Sequence, residues 1–229
     1  VLQRAVTYAM AVLEVNASMG VIVAAPTAGS SGVVPGVLLS LEEAYDLPEE
    51  VILNGLYTAG AVGYLLMRNA SVAGAEAGCQ AEVGAASAMA AAAAVEMMGG
   101  TPKQCLDAAS VAMSNLLGLV CDPIAGLVEY PCQNRNSVGA ANALICAEQT
   151  LAGIPALIPF DEMAQAMYHV AEAFPLSCGK ARWEAVRQPR RHAGVPVRSS
   201  AAENGQTHFP CRYFRRKLSG RQALDGLYY

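Results

Sequence analysis

Apolar side chains recur every three or four residues along this chain up to Phe174, and the clearest instance is the last. In "PFDEMAQAMYHVAEAF" the residues Phe160, Met163, Ala164, Met167, Val170, Ala171 and Phe174 line one face of a helix. The same spacing predicts helices over 5–13, over 36–45, and over 49–67 behind Pro48, a first-turn proline. An alanine-rich helix over 81–98 is ended by Gly99 and Gly100. Thr101, with Pro102 at N1 and Gln104 at N3, reads as a capping box opening the next helix, "PKQCLDAASVAMSNLLGLV". A further helix over 136–151 stops before Gly153 and Pro155. No segment alternates with period two and no repeat of 20–50 residues is visible. The expected fold class is all-α.

Composition shapes that picture. The chain of 229 residues is 54% hydrophobic but only 6% aromatic, so its helices must pack closely with little side-chain volume between them. The greasiest uninterrupted stretch, "VGAASAMAAAAAV", has thirteen residues between Glu82 and Glu96. That is short of a span of about 20 residues, so a buried core helix is expected and no membrane segment. No basic region leads into an apolar core, so no signal peptide is read. The first residue, Val1, fits a chain whose beginning has been lost. Seven cysteines in no regular framework point to a reducing cytoplasm. The Asn-x-Ser triplets at Asn16 and Asn69 are accordingly not read as glycan sites.

Charge divides the chain. Residues 1–176 carry four basic and sixteen acidic side chains, residues 177–229 eleven basic and three acidic. The expected division is therefore a helical domain over 1–176 and an aberrant basic tail over 177–229. The tail has no interleaved aromatics and no RNA or DNA motif, so nucleic acid is not an expected partner.

Candidate chemistry lies with the cysteines. Cys105 and Cys146 fall inside predicted helices, where a small buried hydrophobe is the ordinary reading. Cys79, Cys121 and Cys132 sit instead at positions marked by glycine or proline, where backbone bends to aim a side chain. Eleven residues separate Cys121 from Cys132, with no close partner of the kind a structural zinc uses. Three thiolates can hold a 4Fe-4S cluster by three of its irons and leave the fourth open. Unrelated buried thiols are the commoner source of such a pattern.

Four segments, "EVNASMGVIVAAPTAGSSGVVPGVL", "GCQAEVGAASAMAAAAAVEMMGGTP", "NLLGLVCDPIAGLVEYPCQNRNSVGAANA" and "IPFDEMAQAMYHV", in this order, resemble the alpha (catalytic) chain of the iron-sulfur-dependent bacterial L-serine dehydratases. The resemblance covers nearly all of residues 1–176. It implies a 4Fe-4S cluster on Cys79, Cys121 and Cys132, conversion of L-serine to pyruvate and ammonia in cytoplasmic, gluconeogenic amino-acid degradation, a regulatory beta domain or chain, and a homo-oligomer. A desulfidase acting on L-cysteine and a non-catalytic iron-sulfur protein are the alternatives. Expelling hydroxide from Cβ calls for a Lewis acid, which an open iron supplies. The common substitute, pyridoxal phosphate on a lysine, is not expected, because the chain has only Lys103, Lys180 and Lys217.

"PTAGSSG" is a turn leading into helix, whose backbone N–H groups attract a carboxylate. As pattern alone it is more often a cap without a ligand. The resemblance favours substrate binding at Thr27, Ala28, Gly29 and Ser30. Asn16, Asn69, Arg135 and Asn136 are weaker substrate-binding candidates, since polar residues beside turns usually make local hydrogen bonds. His169 reads as a surface or satisfied core residue. Glu82 reads equally as a partner of the cysteines or a helix cap, and the catalytic base is unassigned. After "MYHVAEAFPL" the sequence leaves the family pattern, and a shift of reading frame near Leu176 is the most specific explanation.

Overall fold

The structure, a computed structural model, describes residues 1–121 and 129–174, with backbone alone at 129 and 130. The basic tail, the frame-shift reading and most of the stretch between Cys121 and Cys132 lie outside the described residues. Seven α-helices follow one another: α1 (Leu2–Ala17), α2 (Val33–Tyr45), α3 (Glu49–Asn69), α4 (Gly74–Met97), α5 (Pro102–Asn115), α6 (Glu129–Leu151) and α7 (Phe160–Ala173), with a single 3-10 turn, Ala28–Ser30, ahead of α2. No strand occurs among the described residues, and the fold is all-α.

Helix α4 is the axis of the domain. Its run from Val83 to Val95 is buried on every side, as a helix apolar all round must be, and it packs against α2, α3, α5, α6 and α7. Methyl-sized side chains let the neighbours come close, and glycines on those neighbours complete the fit. A Cβ at Gly63 of α3 would lie 2.9 Å from the Met89 side chain, and one at Gly139 of α6 would lie 2.9 Å from Val83. The stabilisation comes from many short dispersion contacts rather than from large buried side chains.

Local signals account for most helix ends. Thr101 and Gln104 form the reciprocal capping box, with Thr101 N–H donating to Gln104 Oε1 at 2.9 Å and Gln104 N–H to Thr101 Oγ1 at 3.3 Å. Helix α2 ends on Asp46 in the left-handed region (φ 52°), followed by Pro48.

Three boundaries differ from expectation by five residues or more. Helix α4 begins at Gly74 and bends at Ala77 and Gly78, which leave helical geometry. Helix α5 ends at Asn115, because Gly118 turns the chain away at φ 84°. Helix α6 begins at Glu129, one turn and more before the expected start. The proline before Cys132 marks a backbone bend by sequence, yet a proline in the first turn of a helix has no N–H to lose. Cys132 therefore stands on a helix and not in a proline-shaped loop.

By length and composition α3 alone among the described helices is long and apolar enough to cross a membrane, at a mean hydropathy of 1.2. Counting uninterrupted apolar runs passes over it, because Asn54 and Thr58 break the run. Its Ile52, Gly55, Ala59, Val62, Gly63 and Leu66 are buried, while Leu56, Tyr57, Tyr64 and Met67 are exposed.

Candidate metal centre

The bend in α4 exists to aim one residue. Gly78 sits at φ 74°, a conformation side chains rarely adopt, and a Cβ there would lie 2.7 Å from the Leu119 carbonyl oxygen. Because the helical ladder is broken at this point, the Gln80 N–H is released and donates to Leu119 O at 2.9 Å. Cys79, between them, is 1% exposed. Cys132, on the opening turn of α6, is also buried, and Cys121, on the segment that follows α5, is half-buried.

The three thiols converge. Cys121 and Cys132 are both close enough to Cys79 to lower its pKa by hydrogen bonding. The Cys79 and Cys132 sulfurs and a Glu82 carboxylate oxygen lie within 4.8 Å of one another. Arg135, one turn beyond Cys132, donates from Nη1 to the Cys79 sulfur at 3.0 Å and to Val120 O at 2.9 Å. The donated thiol hydrogens, that of Cys121 first, and the Arg135 guanidinium hold Cys79 as a thiolate, with its pKa lowered to about 3. The same arrangement pushes Cys121 and Cys132 far up, since each gives its proton to an existing anion. Deprotonation is thus eased at Cys79 and opposed at its two neighbours. Such a donor set suits a thiophilic cation or cluster, whose binding would displace the two remaining protons.

Glu82 joins this group to the turn. It stands three residues after Cys79 on α4, and its carboxylate accepts a short hydrogen bond from the Thr27 hydroxyl. Glycine leaves the space it occupies: a Cβ at Gly29 would lie 2.6 Å from Oε1, and one at Gly74 2.8 Å from Oε2. Burial raises the Glu82 pKa, opposed by the Thr27 hydrogen bond and reinforced by the negative charge on Cys79. A carboxyl whose folded pKa exceeds its unfolded value lets the native state hold more protons, so stability falls as pH rises from the unfolded pKa of about 4.3 through the folded one. Glu82→Gln keeps the acceptor for Thr27 and removes the charge. We expect it to raise the denaturant midpoint of the metal-free protein at pH 7 and to flatten that acid-to-neutral slope; an unchanged pH profile would count against the buried carboxyl.

The turn itself is pinned from two sides. Asn16, near the end of α1, donates to Ala28 O at 3.0 Å. Asn136, fully buried on α6, donates to Gly29 O at 2.7 Å and Cys132 O at 2.8 Å, and accepts from Gly32 N at 3.0 Å. Thr27 Oγ1 and Ser30 Oγ are 3.2 Å apart, and Ser30 is buried. In a 3-10 turn over 28–30 the N–H groups of Ala28 and Gly29 have no acceptor within the turn. Asn16 and Asn136, expected as weak substrate contacts, hold the turn in place, and Arg135 holds sulfur and backbone. Asn69 is not brought to this group: it is exposed, and its amide donates to Leu65 O of its own helix. His169 is exposed beside Glu172, 3.2 Å away. Cys105 and Cys146 are buried apart from the centre, and burial raises each to about 11, which keeps both as inert thiols at neutral pH.

Two contributors went unread in the sequence. Gln80 is 1% exposed; its Oε1 accepts from Gly118 N at 2.8 Å and its Nε2 donates to Met167 O at 3.2 Å. A long amide inside a helix of alanines has to find partners, and that is the signal which could have found it. The other is the bond from Arg135 to Cys79. Arg135 is the one Lys or Arg between Lys103 and Lys180 and stands three residues from Cys132.

Comparison with known proteins gives a consistent result. The sequence model described as "Serine dehydratase alpha chain" matches residues 1–181. "Probable L-serine dehydratase, alpha chain" of Bacillus subtilis (strain 168) is 55% identical over 75% of this chain and 57% of its own length. "L-serine dehydratase, alpha chain" of Peptoniphilus asaccharolyticus is 55% identical over 75% of this chain and 59% of its own length. A counterpart of Latilactobacillus sakei is 51% identical over 76% of this chain and 84% of its own length. The chain thus spans less than two thirds of the first two relatives.

Proposed function

This chain belongs to the serine dehydratase alpha chain family, and from that premise we propose that it forms the catalytic part of an L-serine dehydratase, converting L-serine to pyruvate and ammonia. The observation that carries the reading is the meeting of Cys79, Cys121 and Cys132 around one thiolate, joined through Glu82 to the turn at Thr27. The donor set fits a 4Fe-4S cluster: the sulfurs of Cys79 and Cys132 lie close together, Cys121 adjoins Cys79 and helps lower its pKa, and an arginine stands beside them. Cys79, Cys121 and Cys132 would hold the group, which when bound supplies a Lewis acid for the hydroxyl that leaves Cβ.

The chain's own residues supply the rest. The N–H groups of Ala28 and Gly29 receive the substrate carboxylate at the start of the 3-10 turn, with Ser30 beside them and Thr27 tying the turn to Glu82. Asn16 and Asn136 keep that turn from moving when the charge arrives. Glu82 touches both the turn and the thiols, so it is the carboxylate placed to accept the proton from Cα. Loss of that proton and of the Cβ hydroxide leaves an enamine that tautomerises and hydrolyses to pyruvate and ammonia. The words "alpha chain" in the relatives' names support a second, beta chain as partner.

The test is pyruvate release by the anaerobically reconstituted chain, with L-serine and L-cysteine compared. Serine should be the better substrate, and its addition alone should perturb the visible spectrum. Pyruvate from cysteine but not serine would replace this reading by a desulfidase. A spectrum indifferent to serine would point to a non-catalytic iron-sulfur protein.

A further inference from the structure

The segment that carries Cys121 is held at three successive residues. Gly118 N–H is bound by the Gln80 side chain at 2.8 Å, Leu119 O by the Gln80 N–H at 2.9 Å, and Val120 O by Arg135 at 2.9 Å. The first two bonds come from α4, immediately after its bend, and the third from α6. Only the third is shared with a cysteine, because the same Nη1 that holds Val120 also donates to the Cys79 sulfur at 3.0 Å. A guanidinium nitrogen has two hydrogens at fixed angles, so one nitrogen can serve two acceptors and fix their separation. Arg135 lies on α6 one turn after Cys132, and it thus ties together the three elements that bear the three thiols.

We propose that Arg135 is a positioning residue, a clasp that holds the Cys121 segment against the Cys79 sulfur so that the three thiols stay assembled whether or not a cluster is bound. The proposal rests on the cluster reading above for its purpose but not for its geometry. It also gives Arg135 a task different from contact with substrate. Without the clasp, Val120 and then Leu119 should open outward from Cys121, while the helices behind them stay intact.

The test compares the full chain with Arg135→Met, which keeps the length and removes every donor, and with Arg135→Lys, which restores one. Hydrogen exchange reads the clasp directly, since the Gln80 amide is protected by Leu119 O and not by its own helix. In Arg135→Met that amide should exchange at least about tenfold faster in the metal-free protein, with amides in the middle of α3 unchanged and Arg135→Lys intermediate. In the reconstituted protein, iron release to a chelator should quicken by roughly 10-fold or more, the usual scale for a lost partner of a metal ligand. Unchanged exchange at Gln80, or an equal rise across all helices, would overturn the proposal. Failure of the unaltered chain to take up iron, with Gln80 still loosened in Arg135→Met, would refute the cluster reading and support the clasp.

Discussion

Serine in place of Cys79 is expected to abolish iron uptake while the helices remain. Cys79 is the thiol whose pKa its surroundings lower, through Cys121, Cys132 and the Arg135 guanidinium that donates to its sulfur. A serine hydroxyl does not ionise at neutral pH, so this variant keeps the shape of the site and loses the charge around which it is organised. Ligand binding that depends on deprotonated sulfur then lacks its first donor. Cys121→Ser and Cys132→Ser should have the same outcome, because each leaves two sulfurs. Cys146→Ala, on the opposite reach of α6, should take up iron normally and lower stability by only about 1 kcal/mol, as for a small core truncation. The measurement is anaerobic reconstitution with iron and sulfide, followed by metal counting and visible absorbance, with circular dichroism as the control for folding. Full cluster occupancy in Cys121→Ser would remove that residue from the ligand set.

The second large effect is on stability and arises at Asn136. Leucine there matches the volume but makes none of the three hydrogen bonds. Gly32 N–H then loses its partner in a buried place and Gly29 O in a half-buried one, while Cys132 O stays within α6. A buried group left unsatisfied costs about 1–3 kcal/mol, so the loss should be roughly 2 kcal/mol or more in denaturant unfolding of the metal-free chain. Asn136→Asp keeps the acceptor for Gly32 N–H and loses the donors to both carbonyls, and it puts a second negative charge near Cys79. Its deficit should therefore shrink at acid pH, where the aspartate is neutral, whereas that of Asn136→Leu should not. A change below 1 kcal/mol for Asn136→Leu would mean that the turn does not depend on this residue. If the deficit is as large as expected, serine binding should weaken with it, because the turn at Thr27 is what Asn136 supports.

Both predictions use residues that could be named from the sequence, yet they were named for different reasons. Cys79 was singled out by the glycine before it, and Gly78 does bend the chain there. Asn136 lies beside a turn in the sequence; two of its partners, Gly29 and Gly32, lie more than a hundred residues away. Cys132 was marked by Pro131 as a loop residue, although that proline lies in the first turn of α6. Proline fits a first turn as well as a loop, and nothing local separates the two.

What the sequence determined by itself was the set of helices and several of their ends, together with the bend beside Cys79. Periodicity, capping boxes and left-handed glycines act within a few residues, so they are written where they operate. The tertiary structure alone decided that Arg135 and Gln80 grip the segment before Cys121, that Glu82 links Thr27 to the thiols, and that Asn69 stays outside. Each of these depends on a hydrogen bond, or on its absence, between elements whose approach is set by the packing of α4 against its neighbours. A side chain's propensity says nothing about a partner that arrives only when the core has closed.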